Sequence, residues 1–323
     1  MKKILLVLGL LSQSLIYAQY APEVGVIGST AIKADSTIIV NWANSVLDLT
    51  RGYQNIANGI PYTTNGEAIN ALGSTQLGGS LISLGDSGVI TLGFEYPIKN
   101  GPGHDFAVFE NSFSNTFLEL AHIEVSTNGI DFIRLPSVSL TQTSIQVGGF
   151  GNTDPTKLYN LAGKYKAGYG TPFDLEDIID STGINLDSIN YVRVIDVIGT
   201  LNAVYANYDS QGNIINDPYP TNFSAGGFDL DAIAVINENK FLDVSENELE
   251  LHTIYPNPSK GNITINSKVD SEIDIISING QIINHFKVLK NSNLSINNLK
   301  AGIYLIRFNS DKKNIIKKII VNQ

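Results

Sequence analysis

Residues 122–135 read His-Ile-Glu-Val-Ser-Thr-Asn-Gly-Ile-Asp-Phe-Ile-Arg-Leu. Two short alternating runs flank an Asn-Gly pair, the strongest short-range signal for a β-hairpin. The same grammar recurs at 89–94, 106–109, 191–197 and 232–236, each run bounded by Gly, Asn, Asp or Pro. Helical patterning is confined to 66–72 and 173–180, where Thr171, Pro172 and the acidic residues 174, 176 and 177 suit a helix start. No repeat of 20–50 residues is present. Many strands and few helices predict an all-β fold with a jelly-roll-like β-sandwich as its main domain.

The 323 residues, 43% of them hydrophobic, suffice for about two domains. The absence of Cys excludes disulfides, thiolate zinc sites, iron–sulfur clusters and a cysteine nucleophile. A formal net charge of −10 argues against a nucleic-acid partner, since phosphate contacts need clustered Lys and Arg. Lys2 and Lys3, the apolar stretch Ile4 to Tyr17 and the small Ala18 read as a signal peptide over 1–18, cut before Gln19.

Charge divides the rest. Residues 19–240 hold 9 basic and 23 acidic residues, whereas 252–323 hold 10 basic and 4 acidic. Between them, Asn237 to Leu251 is rich in Glu and Asn, and 241–251 reads as a linker. The C-terminal part opens on Tyr255-Pro-Asn-Pro258, continues through the Asn279-Gly280 turn, and closes on the strand run 314–321. About seventy residues in short strands predict a small Ig-like β-sandwich.

Three segments of the larger part carry carboxylates in patterned positions. Asp105, Glu110 and Asn111 bracket the apolar run of 106–109. Asp196 falls on the apolar face of its strand, where a carboxylate needs a partner such as Arg or a cation. Asp229 and Asp231 point the same way at strand spacing, about 7 Å apart. Calcium, which takes six to eight oxygens, reconciles all six residues as ligands. The alternative is a set of turn residues capping amides, with one Asp–Arg pair through Arg193 or Arg134. Residues 208–217 form a second oxygen-rich loop that reads first as an Asp/Gly turn.

Aromatic and glycine-rich stretches offer a ligand surface. Trp42, Arg51 and Tyr53 lie in the first, Tyr165, Tyr169 and Phe173 in the second, and Tyr219 in the third, which also holds Pro220 and Phe223. Flat rings on irregular loops suit a sugar face or a macrocycle. The alternative is that they seal the ends of the sandwich, although Tyr165 and Tyr169 are expected to be exposed. Enzyme signals are weaker. Gly85-Asp-Ser-Gly88 resembles the nucleophile segment of trypsin-like proteases but lacks the following Gly, and a turn is favoured. His104 adjoins the calcium turn and His122 reads as a packed strand residue. No signal pairs two acids in a cleft, although a glycoside hydrolase with such a pair stays open.

The ordered pieces YPNP with a following Gly, the Asn-Gly hairpin, Leu299-x-x-Gly302-x-Tyr304 and the Lys-rich last strand resemble the type IX secretion C-terminal sorting domain of Bacteroidetes. That resemblance implies handling by the type IX machinery and a place at the cell surface or outside it. The segments 101–111, 126–136, 160–175, 191–199 and 226–237 together resemble a domain of exported Bacteroidetes surface proteins. Residues 126–132 with 191–194 are also similar to discoidin-type, galactose-binding-like jelly rolls. This implies a non-enzymatic module, often calcium-stabilised, that binds through its loops. Similar surface proteins imply cobalamin capture beside an outer-membrane TonB-dependent receptor. The expected function is therefore non-enzymatic capture of a corrinoid or a glycan, with a polysaccharide hydrolase or a structural adhesin as rivals.

Overall fold

The computed structural model describes residues 20–75, 79–240, 251–310 and 314–322. The expected signal peptide, 1–18, and nearly all of the expected linker, 241–251, lie outside them. The chain divides into two compact units, Met1–Lys240 and Phe241–Gln323.

In chain order the strands of the first unit are β1 (Ile32–Lys33), β2 (Asn41–Trp42), β3 (Ser45–Thr50), β4 (Tyr53–Asn55), β5 (Gly59–Tyr62), β6 (Ile82–Ser83), β7 (Val89–Ile98) and β8 (Phe106–Glu110). They continue as β9 (Ala121–Ser126), β10 (Ile133–Arg134), β11 (Val138–Ser139), β12 (Leu158–Tyr159), β13 (Tyr169–Phe173), β14 (Ile189–Asp196) and β15 (Asp229–Val235). One antiparallel sheet runs β1-β13-β8-β15-β2, with β6 also on β15, and a second runs β10-β9-β14-β7-β3. The Asn128-Gly129 hairpin forms as read, pairing Ile133 with Val125.

Alternation builds the core between these sheets. Ile90, Leu92, Ile123, Val125, Val192 and Val194 meet Phe106, Val108, Phe173, Leu230, Ile233 and Val235. The opposite face of the first sheet buries Ala107, Phe109, Ala232 and Ala234 beneath Ile32, Ala34, Ile39 and Trp42. A third cluster, Leu118, Leu120, Leu158, Leu161, Val197 and Ile215, packs the long connections against one another.

Both helical stretches shorten to single 3₁₀ turns, Ala68–Ala71 and Leu175–Ile178. Asp174 caps the second by accepting from the Glu176 amide at 2.9 Å, but only one turn of apolar contacts, Leu175 and Ile178, reaches the core. Among the described residues there is no α-helix.

The second unit contains β16 (His252–Tyr255), β17 (Ile263–Ser267), β18 (Ser271–Ser277), β19 (Ile282–Val288), β20 (Ser292–Ile296), β21 (Gly302–Asn309) and β22 (Asn314–Val321). Sheets β16-β17-β20 and β19-β18-β21-β22 enclose Ile265, Ile273, Ile275, Ile306, Phe308 and Ile319. The buried Asp274 accepts from Arg307 at 2.7 and 3.0 Å and contacts His285 Nδ1 at 2.6 Å. The His285 and Arg307 hydrogen bonds hold its carboxyl below the ordinary range.

Asp196 is buried as the strand pattern requires, but among the described residues no Arg partners it. Its carboxylate accepts from the backbone amides of Ser87 (3.0 Å) and Phe228 (2.7 Å). Arg193 and Arg134 both turn to Glu124 instead, at 3.5 and 2.9 Å. Asp196→Ala leaves two amides without an acceptor and should cost about 3 kcal/mol in urea unfolding of the first unit's transition. An unchanged midpoint would remove the brace.

His122 alternates with Ile123 and faces away from the main core, where both ring nitrogens are buried without a partner. Burial, reinforced by Arg134, lowers its pKa to about 4. The unfolded imidazole takes up a proton near pH 6.5 and the folded one does not. Stability is therefore full above pH 6.5 and falls as pH drops towards 4, by roughly 3 kcal/mol. His122→Leu should flatten that acid limb when melts at pH 7 and pH 4.5 are compared with those of the unsubstituted chain.

Candidate functional site

The site grows from the alternation Leu118-Glu-Leu120. Both leucines are fully buried in the third cluster, so the side chain between them faces the other way. There Glu119 meets Glu110, the last residue of β8, and Asp229, the first of β15. These three and Asn111 lie in a cleft of about 170 Å³. Its walls come from three loops that carry Phe113 and Phe117, Gly149 and Phe150, and Thr221, Phe223 and Gly226.

The four phenylalanines form a continuous strip. Ring centroids are 4.5 Å apart for Phe113–Phe117, 6.1 Å for Phe117–Phe150 and 5.4 Å for Phe150–Phe223. Phe117 is buried, whereas Phe113, Phe150 and Phe223 are 73%, 70% and 47% exposed. Three large rings are thus left in solvent along one strip, a larger exposed apolar grouping than single scattered side chains.

The loops beneath them are fastened. Asp217 accepts from the Leu120 amide at 2.9 Å, next to Glu119. Glu110 accepts from the Ser112 amide at 2.8 Å, and the Ser112 hydroxyl bonds the Phe117 carbonyl. The Tyr219 amide donates to the Val147 carbonyl at 3.0 Å. Gly149 lets the loops touch, because a Cβ there would stand 2.3 Å from the Pro220 carbonyl oxygen.

The floor is electrostatically unbalanced. Asp229 accepts from the Ser83 hydroxyl, and burial raises its pKa to about 6. Burial, then Asp229, drives Glu110 well above the usual carboxylate range. Glu119 is driven the same way by burial and then by Glu110 and Asp229. It is only 8% exposed, and among the described residues nothing hydrogen-bonds or ion-pairs with it. No Lys or Arg lines the cleft.

Of the six expected metal ligands, Glu110, Asn111 and Asp229 come together in this cleft. Asp231 is nearby as the extra residue of a β-bulge, opposite the step from Glu110 to Phe109. Asp105 sits at the other end of β8, accepting from the Gly101 and Leu175 amides at 2.8 Å and from Asn237 at 2.9 Å. Asp196 is the backbone brace described above. Among the described residues no group of three or more His, Asp or Glu side chains is arranged to hold a metal ion. The 208–217 loop is a turn in which Asp209 caps the Gln211 and Asn213 amides at 2.9 and 2.8 Å.

The seven expected ligand residues are scattered, and none lines the cleft. Trp42 packs on Phe109 at 5.4 Å, and Arg51 donates to the carbonyls of Asn65, Gly66 and Ser83. Tyr53 stacks on Tyr62 at 4.6 Å, and the Tyr219 hydroxyl donates to Asn55 at 2.9 Å. Phe173 is core, stacked on Phe106. Tyr165, expected to be exposed, is 1% exposed with its hydroxyl 2.9 Å from that of Thr30; Tyr169 is half-buried where β13 pairs β1. The residues that sequence reasoning missed are Glu119, Phe113, Phe117 and Phe150. Their signal is phenylalanine isolated among Ser, Asn and Gly, as in Asn111-Ser-Phe-Ser-Asn-Thr-Phe117 and Gly148-Gly-Phe-Gly151.

A larger depression of about 370 Å³ lies by Tyr20, Tyr159, Lys164 and Asp177. Its charged groups are mostly matched: Asp177 accepts from Tyr159 at 2.9 Å, and Lys164 donates to the Leu158 carbonyl at 2.8 Å.

Residues 253–322 match the family model of the secretion system C-terminal sorting domain. That match supports a type IX sorting domain, and a protein carrying one engages the type IX machinery and is exported to the cell surface or the extracellular space. No curated protein matches the chain significantly in sequence. Among solved structures, Ruminococcus gnavus β-glucuronidase in complex with uronic isofagomine is similar at 11% identity and a TM-score of 0.20, over 74% of this chain and 35% of that one. The BSP domain of a biofilm-associated protein is similar at 12% and 0.19, over 86% and 52%. This chain thus spans about a third to a half of those chains, and TM-scores this low carry no argument about function.

The raised Glu119 carboxyl has a consequence for stability. Folded protein keeps a proton that the unfolded chain releases in the ordinary carboxylate range, so stability falls as pH rises from there through the raised value. Glu119→Gln should remove this loss, and its melting temperature should exceed that of the unsubstituted chain more at pH 8 than at pH 5. An equal difference at both pH values would contradict a buried, unpartnered carboxyl.

Proposed function

We propose that the first unit is the non-enzymatic, ligand-capturing part of this exported surface protein, and that it takes one sugar ring in the phenylalanine-rimmed cleft. The observation carrying the reading is the strip of four rings, from fastened loops, above polar groups with spare acceptor capacity. The apolar face of a pyranose stacks on such rings, and its hydroxyls donate to Glu, Asp and Asn oxygens. Pockets that take a drug-sized ligand span roughly 300–1,000 Å³. A cleft of about 170 Å³ therefore suits one ring at the end of a glycan better than a whole corrinoid.

A glycoside hydrolase is the second reading, favoured by one observation: Glu110 and Glu119 are acids together in a cleft. Hydrolysis needs two carboxyl groups whose environments push their pKa values apart, one acid and one ionised base or nucleophile. Here burial pushes both in the same direction. That pattern supports binding over turnover.

The test is a glycan array followed by calorimetry on the full chain. Phe150→Ala and Phe223→Ala, both at exposed positions, should leave the melt within about 0.5 kcal/mol of the original and weaken the best glycan about tenfold. Release of sugar from that glycan by the protein, or binding indifferent to both substitutions, would overturn the reading.

A further inference from the structure

The chemical character of the bound ring follows from the floor of the cleft, and this inference rests on the capture reading. We infer that the ligand is a hexosamine with a free amine, its ammonium seated between Glu119, Glu110 and Asp229 beneath the phenylalanine strip. Each neighbouring carboxylate in the first unit has a use: Asp196 and Asp217 hold backbone amides, and Asp229 takes the Ser83 hydroxyl. Glu119 holds nothing among the described residues, although it is more than nine-tenths buried and lines the cleft. An acid left without a partner beside two others is a standing cost, and a cation at that point removes it.

Two features separate an organic ammonium from a bare metal ion. The first is the rim: phenylalanine faces are negative and attract a cation, and they also cover the carbons attached to it. Calcium gains nothing from such a rim and asks for six to eight oxygens. The second is the floor, whose acids are not arranged as a metal cluster. An ammonium asks for less convergence, since three N–H donors on one nitrogen can each find a separate acceptor. The small cleft admits one ring, and the amine selects among rings by the charge that N-acetylation removes.

The experiment is calorimetric titration of the full chain at pH 7 with glucosamine, N-acetylglucosamine and glucose, with and without added calcium. Glucosamine should bind at least about tenfold more tightly than either neutral sugar, as a charge-assisted hydrogen bond with a cation–π contribution requires. Glu119→Gln should narrow that preference to about twofold or less, and the melt of the variant reports whether it folds. Independently of any variant, glucosamine should raise the melting temperature of the unsubstituted chain, and glucose at equal concentration should raise it less. Equal affinity for all three sugars overturns the amine while leaving glycan capture standing. Calcium that binds through Glu119 and displaces glucosamine competitively makes this a metal site and overturns it too. Binding of no sugar here or on the array removes both readings together.

Discussion

Backbone amides in the loops of the first unit are satisfied by buried carboxylates, and the architecture depends on that exchange. A sandwich of short strands leaves long connections whose N–H groups have no ladder to join. With no Cys in the chain, no disulfide fastens them. Asp105 takes the amides of Gly101 and Leu175, Asp196 those of Ser87 and Phe228, and Asp217 that of Leu120. Each bond joins segments far apart in sequence or caps a sharp turn. Buried ionisable groups are costly unless hydrogen-bonded, and buried amides are costly unless accepted. Pairing one with the other settles both costs at a single point. The Asp196 brace shows how tight the packing is: a Cβ on Gly227, whose φ is +71°, would lie 2.6 Å from that carboxylate.

This pattern gives Glu119 its meaning. It belongs to a fold that uses its buried acids, and it lies one residue from an amide that Asp217 already accepts. The leucines on either side anchor the backbone in the third cluster, which keeps the side chain between them turned into the cleft. A loosely held loop would relieve an unmatched carboxyl by moving it. Here the surrounding hydrogen bonds hold it in place beside Glu110 and Asp229.

Much of the fold was legible in the residues, and much of the site was not. Alternation found the strands because each has one face on the core and the period of two survives burial. Val192, Val194 and Asp196 show it directly, all three buried on one strand face. The two helical stretches misled because acidic residues at a helix start look alike whether one turn follows or three. At Asp105 and Asp196 the residues did not name the partner, because a carboxylate on an apolar face states a need for donors without saying which, and the backbone amides that donate there leave no mark in sequence. Tyr165 misled for a related reason: its loop lacks strand periodicity, yet it lies over the core with its hydroxyl matched by Thr30. Phe113, Phe150 and Phe223 come from three distant loops, and only the fold brings them together.

The two units answer the same problem of stability outside the cell with different chemistry. The second unit neutralises its buried Asp274 with Arg307, an ion pair closed within one sheet, and His285 Nδ1 contacts the same carboxylate. The first unit leaves its acids to the backbone and has few cations to spare, with 9 basic residues against 23 acidic between positions 19 and 240. In such a unit a positive ligand meets little internal competition. Every buried Lys or Arg would be a rival for the carboxylates, and Lys164, the buried Lys among the described residues, donates to a carbonyl instead. Binding by a surface protein costs least when the site is already formed, because ordering loops on contact subtracts from affinity. Loops fastened by carboxylate–amide bonds, with their rings held at stacking distance, meet that condition before any ligand arrives.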